Sequence, residues 1–400
     1  MNRPPKTIIK YYLYQATATF GFFWPIFTIF MLNRGLNFTQ ITLLNSLSAA
    51  FIVIGEVPTG YIADRIGHRN SLIISFMLFS ASIFGFVFAQ TFLEFVLLWI
   101  VWSIANTFQS GTGDAWLYDT LKNRMDENQY TRVRGRGGSV NMWVSAATML
   151  TAGALYSINP TLPFLAGGVL LSLGVPVVIS FPRNPQHSES SEESFTVVDA
   201  LPLIRKRLSE PPLRSFILYI ALFLGITTAI DEFIQPITVN AVGLSEVALG
   251  PLYAGFSAIA AIMSYYAGDI ENVLTTRWAI VVIPLITSIV LLMPLLLPAV
   301  ALPAFFIMKS SKTVISPIAS GYINDYTESV GRATILSAAS MVYALVRIPL
   351  QPFGGWIADF TSPIIAVSSL SALFLGGFAI IHFWEAPASE MNETTGQTAD

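Results

Sequence analysis

The stretch "GYIADRIGHRN" (residues 60–70) sets a knot of charge and glycine between two long apolar runs, 41–63 and 71–89. Asp64, Arg65, His68 and Arg69 crowd into it, although only 11% of the 400 residues are charged and 54% are hydrophobic. Soluble domains carry about 25% charged residues, so this chain lies far outside that class. A short charged loop between such runs is the join of two antiparallel membrane spans.

A helix crosses a bilayer with about 20 mostly apolar residues. Working outward from 60–70, such runs fall near 11–32, 41–63, 71–89, 93–119, 137–157, 161–181, 213–240, 245–267, 278–297, 299–324, 333–358 and 363–384. That predicts an all-α integral membrane protein with twelve spans. The first run is too long for a signal-peptide core and no small-residue cleavage site follows it, so it is expected to stay as a span. Lys and Arg gather in alternate loops, and Arg34 is the one basic residue in an outer loop. The positive-inside rule then places both termini in the cytoplasm, with a plasma-membrane location.

Residues 182–212 begin as a Ser/Glu/Pro-rich linker and hold "ALPLIRKRL" (200–208), which suits a short amphipathic surface helix. Residues 385–400 read as a disordered cytoplasmic tail. The linker separates two six-span halves, 1–181 and 213–384, and these echo one another. "WPIFTIF" (24–30) with "RGLNFTQI" (34–41) resembles "QPITVNAVGLSEVAL" (235–249): a proline-broken outer end, then Gly-Leu and a polar entry to the next span. "GYIAD" (60–64) recurs as "GWIAD" (355–359), the first ending a span that runs inward and the second one that runs outward. Inverted three-helix units would repeat a motif with opposite topology in this way.

"GYIADRIGHRNSL" resembles the loop signature of the major facilitator superfamily, Gly-x-Leu-Ala-Asp-Arg-x-Gly-Arg-Lys, which lies between the second and third helices. Gly60, Ala63, Asp64, Arg65 and Gly67 match, and Ile62, His68 and Arg69 stand for the usual Leu, Arg and Lys. The resemblance implies two pseudo-symmetric six-helix bundles and secondary transport of a small organic solute by alternating access, with proton coupling as one expected drive. It also implies that Gly60, Asp64, Arg65, Gly67 and Arg69 latch one state of the cycle. On physical grounds Gly60 admits a close neighbour helix and Gly67 a tight turn. Two features depart from the proton-coupled drug antiporters of that family. Asn106, in "NTFQSG", stands where they carry Arg, and "SAATMLTAGALY" (145–156) lacks their Gly-Pro-x-x-Gly-Gly.

Charge inside a membrane span is costly and marks function or internal pairing. Ser103, Asn106, Ser110 and Asp114 follow helical spacing in span four, and Thr228, Asp231, Gln235 and Thr238 in span seven. Lys309, Lys312, Ser316 and Ser320 do so in span ten, while span one offers Gln15 and Thr19. The cores of spans three, six, nine and twelve lack charge and are expected to face lipid. Asp231 and Glu232 lie roughly 12 Å below the outer end of their span, Lys309 roughly 15 Å and Arg347 roughly 20 Å into theirs. These residues with Lys312, Gln235, Asn106 and Asp114 are the substrate or coupling-ion candidates. Internal salt bridges are the competing reading. Asp119 with Arg136, and Asp325 with Arg332, are the expected cytoplasmic gating pairs. Trp24, Trp102, Trp116 and Trp143 suit packing better than a cavity lining.

No Cys is present, so disulfides and thiolate sites are excluded, and the three His (68, 187, 382) lack metal-ligand spacing. No nucleophile–base cluster and no phosphate-binding Gly-Lys-Ser/Thr loop occurs, so no enzyme, metal, cofactor or direct ATP drive is expected. No basic patch suits nucleic acid. The expected partners are a small-molecule substrate, protons and the lipid bilayer, with the protein a monomer. A transport-inactive scaffold or sensor and a channel are the alternatives.

Overall fold

Gly67 takes φ +84°, a conformation that costs a side-chain-bearing residue but not glycine, and turns α3 (Phe38–Ile66) directly into α4 (His68–Phe88). The computed structural model describes residues 5–183, 213–325 and 332–384, and all regular structure among them is helical. The expected surface helix in the linker and the tail lie outside the described residues.

The first span is broken into α1 (Lys6–Thr17) and α2 (Phe27–Asn33), with a single 3-10 turn at Trp24–Ile26 between them. The first half continues with α5 (Phe92–Gln109), α6 (Thr112–Arg124), α7 (Tyr130–Ile158) and α8 (Leu162–Ile179). The second half holds α9 (Leu213–Ile230), α10 (Leu249–Tyr265), α11 (Ala267–Val290), α12 (Ala301–Asp325), α13 (Arg332–Phe360) and α14 (Pro363–Trp384). Among the described residues, nine helical stretches are long and apolar enough to cross a membrane. The α1–α2 pair, α7 and α13 occupy the remaining positions of the twelve expected spans.

The repeated motifs carry repeated geometry. Pro25 sits in the 3-10 turn of the first span, and Pro236 follows a 3-10 turn at Asp231–Phe233 and precedes a π-helical turn at Ile237–Ala241. Gly35 and Gly243, in the loops that follow, take φ +86° and +81°. Proline removes a donor and glycine supplies the left-handed turn, so each outer end is broken and reversed by the same two residue types.

Span four differs from the unbroken helix expected. Gly111 takes φ +68° and divides it into α5 and α6. Residues before the ninth span are also helical: α11 begins at Ala267 and kinks at Thr275, which has φ 62° and ψ 151°.

The chain forms two compact units. One contains residues 5–36, 47–183 and 245–254 of those described, and the other 37–46, 213–244 and 255–384. The core of the first is aromatic. Phe27 packs 4.9 Å from Trp99 and 5.1 Å from Phe86, and Phe23 stacks 5.3 Å from Phe164. Such pairs add about 0.5–1.5 kcal/mol each beyond their buried area. Trp102 and Trp116 are buried in this core, while Trp24 and Trp143 are exposed. α4 packs along α5 and α8, leaving Met77, Leu165, Val169 and Leu173 exposed, as a lipid-facing side requires. In the second unit α9 packs along α13 and α14.

Candidate functional site

Asp231 stands at the break in span seven, the first residue after α9 and the start of the 3-10 turn. Pro236, having no N–H, cannot continue the α-helical ladder through this region. The Asp231 carboxylate meets two ammonium groups from α12. Lys309 Nζ lies 2.8 Å from Oδ1, and Lys312 Nζ lies 3.5 Å from Oδ2. Lys312 Nζ also donates to Thr228 Oγ1 at 2.9 Å, one turn back on α9. Lys309 Nζ lies 5.9 Å from the centre of the Phe256 ring, within the range of a cation–π contact. The side chains of Asp231 and Lys309 are each 23% exposed, although Asp231 Oδ1 itself is buried.

Lys309 and Lys312 fall on one face of α12 because they are three residues apart. Asp231 thus forms an internal ion pair with Lys309, and Lys312 is part of it. One carboxylate between two ammonium groups leaves the cluster with excess positive charge. Arg347 lies on α13, whose backbone approaches α9 closely: a Cβ on Gly225 would stand 3.5 Å from the Arg347 Cα. Its Nε is buried and has no hydrogen-bond partner among the described residues. Glu232 is half-buried beside Asp231, and Gln235 is buried in the following turn.

The break in span one is stabilised from α7. Asn141 Nδ2 donates to the Gln15 and Ala18 carbonyls at 2.9 and 2.7 Å, where α1 stops. Thr19 and Ser145 share a 2.6 Å hydroxyl hydrogen bond. A Cβ on Gly21 would stand 2.6 Å from the Ser145 carbonyl, so glycine is what lets the broken segment lie on α7. Asn141, Ser145 and Thr148 form a stripe with helical spacing that the sequence reading passed over. Non-helical backbone at membrane depth persists only where protein or a water-filled cavity satisfies it. Gln15 donates to the Tyr11 hydroxyl at 2.8 Å, and Asn106 is half-buried on α5.

Two expectations for the charged groups on α6 change. Asp119 Oδ2 lies 3.5 Å from His68 Nε2, whereas Arg136 is exposed on α7, so the expected Asp119–Arg136 pair is not formed. His68 reaches Asp119 because Gly67 starts α4 against α6. Asp114 is engaged by Arg134 through two 2.8 Å hydrogen bonds, in a fork that matches the guanidinium to the carboxylate. Both partners are well exposed, so a double-mutant cycle on thermal unfolding with Asp114→Asn and Arg134→Gln should give a coupling below about 1 kcal/mol. A coupling several times larger would show that Asp114 holds more than a surface pair. The side chains of Asp325 and Arg332 lie outside the described residues.

In the signature loop, Asp64 is exposed on the last turn of α3, and the Arg65 guanidinium sits 4.0 Å from the Tyr61 ring centre. Arg69 donates to the Val178 carbonyl at 3.4 Å and to the Ile179 carbonyl, and Lys10 to the Ser180 carbonyl at 2.6 Å. These cations satisfy the open carbonyls at the C-terminal end of α8. Among the described residues, no atom outside its own helix lies within 4 Å of where a Cβ on Gly60 would be.

Spans one and seven are discontinuous at corresponding positions, each with polar or charged groups at the break, an arrangement by which helical membrane proteins hold solutes or ions. The chain belongs to the Major Facilitator Superfamily, whose sequence profile it matches over residues 15–348. It is 26% identical over 245 residues to the MFS-type transporter YxaM of Bacillus subtilis (strain 168), a match that spans 60% of each chain. It is also 26% identical over 228 residues to the lactose permease of Klebsiella oxytoca, covering 53% of this chain and 52% of that one. The matched stretches thus span little more than half the length of these relatives. Among solved structures, nucleoside transporter NupG superposes with a TM-score of 0.74 at 12% identity, covering 95% of this chain and 97% of that one. A bacterial homologue of the human lysosomal transporter Spinster superposes with a TM-score of 0.68 at 16% identity, covering 96% and 94%. At such identities these likenesses establish the fold.

Proposed function

We propose that the chain is a secondary transporter that moves a small organic solute by alternating access, with its substrate or coupling-ion site at Asp231, Lys309, Lys312 and Arg347. The observation that carries this reading is the Asp231 carboxylate shared by two ammonium groups at a break in span seven. A shared carboxylate can yield one ammonium group to an anionic substrate while still balancing the other. It can also take up a proton, which frees both lysines at once and couples their release to the proton gradient. Glu232 and Gln235 flank the carboxylate, and Asn106 is the corresponding polar group of span four. Asp64, with Gly67, Arg65 and Arg69, latches one state from the cytoplasmic side. The related lactose permease and the structurally similar nucleoside transporter carry different solutes by name, so neither assigns a substrate here.

A thermal-shift screen of metabolites and drugs on purified protein, followed by uptake and counterflow in proteoliposomes, tests the reading. Saturable counterflow of a hit is expected. Conductance without saturation would identify a channel, and binding without translocation a sensor or scaffold.

The proposed setting is the plasma membrane, with both termini cytoplasmic. Single cysteines at Ser188 and Thr395 should react with an impermeant maleimide only from the cytoplasmic side. One at Gln90, in the exposed α4–α5 turn, should react only from outside. Labelling of Ser188 and Gln90 from the same side would overturn the topology.

A further inference from the structure

The aspartate of "GWIAD", Asp359, lies at the outer end of α13 under the topology proposed above, and it does not hold its own helix. Its Oδ1 accepts the Phe38 N–H at 2.8 Å, and its Oδ2 accepts the Thr39 N–H at 2.8 Å and the Thr39 hydroxyl at 2.6 Å. These are the first N–H groups of α3, which have no partner within their own helix. A carboxylate there also faces the positive end of the helix dipole. Asn37 and Gln40 complete the cap, with the Gln40 N–H donating to Asn37 Oδ1 at 2.8 Å and the Asn37 N–H to Gln40 Oε1 at 3.0 Å. The start of α3 is therefore capped half by itself and half by a residue about 320 positions away.

The contact extends along one face of α13. One turn before Asp359 stands Gly355, where a Cβ would meet the Phe38 carbonyl at 2.6 Å and collide with the Thr42 hydroxyl. One turn before that, Gln351 Oε1 lies 3.3 Å from the Ser46 hydroxyl, which also donates to the Ile348 carbonyl at 2.8 Å. Residues 359, 355 and 351 thus meet 38–39, 42 and 46 in antiparallel order. Residues 37–46 cluster with the unit that contains α13, whereas α3 from Leu47 onward belongs to the other. The clasp consequently grips the first turns of a helix whose remainder belongs elsewhere.

We propose that Asp359 is the clasp of an outer latch: its carboxylate holds the start of α3 in the state closed at that end and must release it for the opposite state to form. The proposal rests on the alternating-access reading. It gives the repeated motif a paired use, with Asp64 at the inner end of α3 and Asp359 at the outer end of α13. Unlike a core contact, the clasp can be released and remade. Its bonds end on backbone N–H groups at an exposed helix terminus, which water satisfies when the carboxylate leaves.

Because the chain lacks cysteine, spin-label pairs can be introduced without a background. One pair, at Gln90 and Leu296, reports the outer ends of the two halves, and a second, at Asn123 and Asn272, the inner ends. Distance distributions are measured by pulsed electron paramagnetic resonance in nanodiscs for the parent, Asp359→Asn, Asp359→Ala and Asp359→Glu. Removing charge-assisted hydrogen bonds predicts a rise of roughly tenfold or more in the ratio of outer-open to outer-closed populations in Asp359→Ala. The outer pair should lengthen as the inner pair shortens, with Asp359→Asn intermediate and Asp359→Glu nearest the parent. Should Asp359→Ala fail to purify as a monodisperse species, Asp359→Asn decides.

Unchanged distributions in a folded variant would overturn the latch. So would outer lengthening without inner shortening, which is local fraying of α3. Uptake with distributions that no variant shifts removes the latch and leaves the transport reading standing. Invariant distributions together with absent uptake remove both.

Discussion

Asp231→Asn should abolish uptake and lower the unfolding temperature more than loss of either lysine. The substitution leaves the Lys309 and Lys312 ammonium groups side by side without their shared carboxylate. Breaking one partner from a buried ion pair costs about 3–5 kcal/mol, and the partial exposure of this site places the expected cost at the lower end of that range. Lys309→Gln leaves the carboxylate paired with Lys312, which Thr228 also holds, so its effect on stability should be smaller. The charge count separates ligand site from salt bridge. Asp231→Asn with Lys309→Gln still leaves one unpaired ammonium, so this double variant should recover little. The triple variant that adds Lys312→Gln removes all three charges and should recover most of the unfolding temperature. If the cluster only held helices together, that triple variant would regain uptake along with stability. If the charges contact substrate or a proton, it should be stable and inactive, with the second outcome expected because Arg347, whose Nε has no hydrogen-bond partner among the described residues, adds a further cation. Near-normal uptake by the triple variant would remove all three residues from the ligand site.

What was legible in the sequence was whatever depends on neighbours along the chain. The positions of the spans follow from runs of apolar residues, since a bilayer demands length and hydropathy above all. The broken outer ends of spans one and seven were legible because Pro25, Pro236, Gly35 and Gly243 act on their own backbone. Asp231 and Lys309 stood out because charge at that depth is rare enough to need a reason. Partnerships across long loops were another matter. Asp119 and Arg136 occupy suggestive positions, yet the turn at Gly67 presents His68 to Asp119 first. Gly60 and Gly355 head the same pentapeptide, but among the described residues only Gly355 lies against another backbone. A motif records the residue types that a contact can use; the fold decides which copy uses them. Asn141 is the plainest example, a polar residue of α7 whose purpose depends on where α1 ends.

Asn141→Leu is the second large effect expected. Asn141 supplies two donors to the Gln15 and Ala18 carbonyls, at the point where α1 stops and the backbone runs irregularly to Trp24. No helical N–H four residues on takes those carbonyls, and in a membrane interior water is scarce. Each buried acceptor left unsatisfied costs about 1–3 kcal/mol, so the pair amounts to about 2–6 kcal/mol against a modest gain from the larger apolar side chain. Asn141→Asp should be no better, because a carboxylate placed between two carbonyls offers acceptors to acceptors. Ser145→Ala removes one hydroxyl bond to Thr19 and should cost about 1 kcal/mol. The expected order of unfolding temperatures is therefore parent, then Ser145→Ala, then Asn141→Leu and Asn141→Asp together. Uptake should follow the same order, since the break in span one corresponds to the break that carries Asp231 in span seven. An Asn141→Leu protein as stable as the parent would show that the interruption is satisfied without α7. In that case the polar stripe of α7 would have to be explained by solute rather than by backbone.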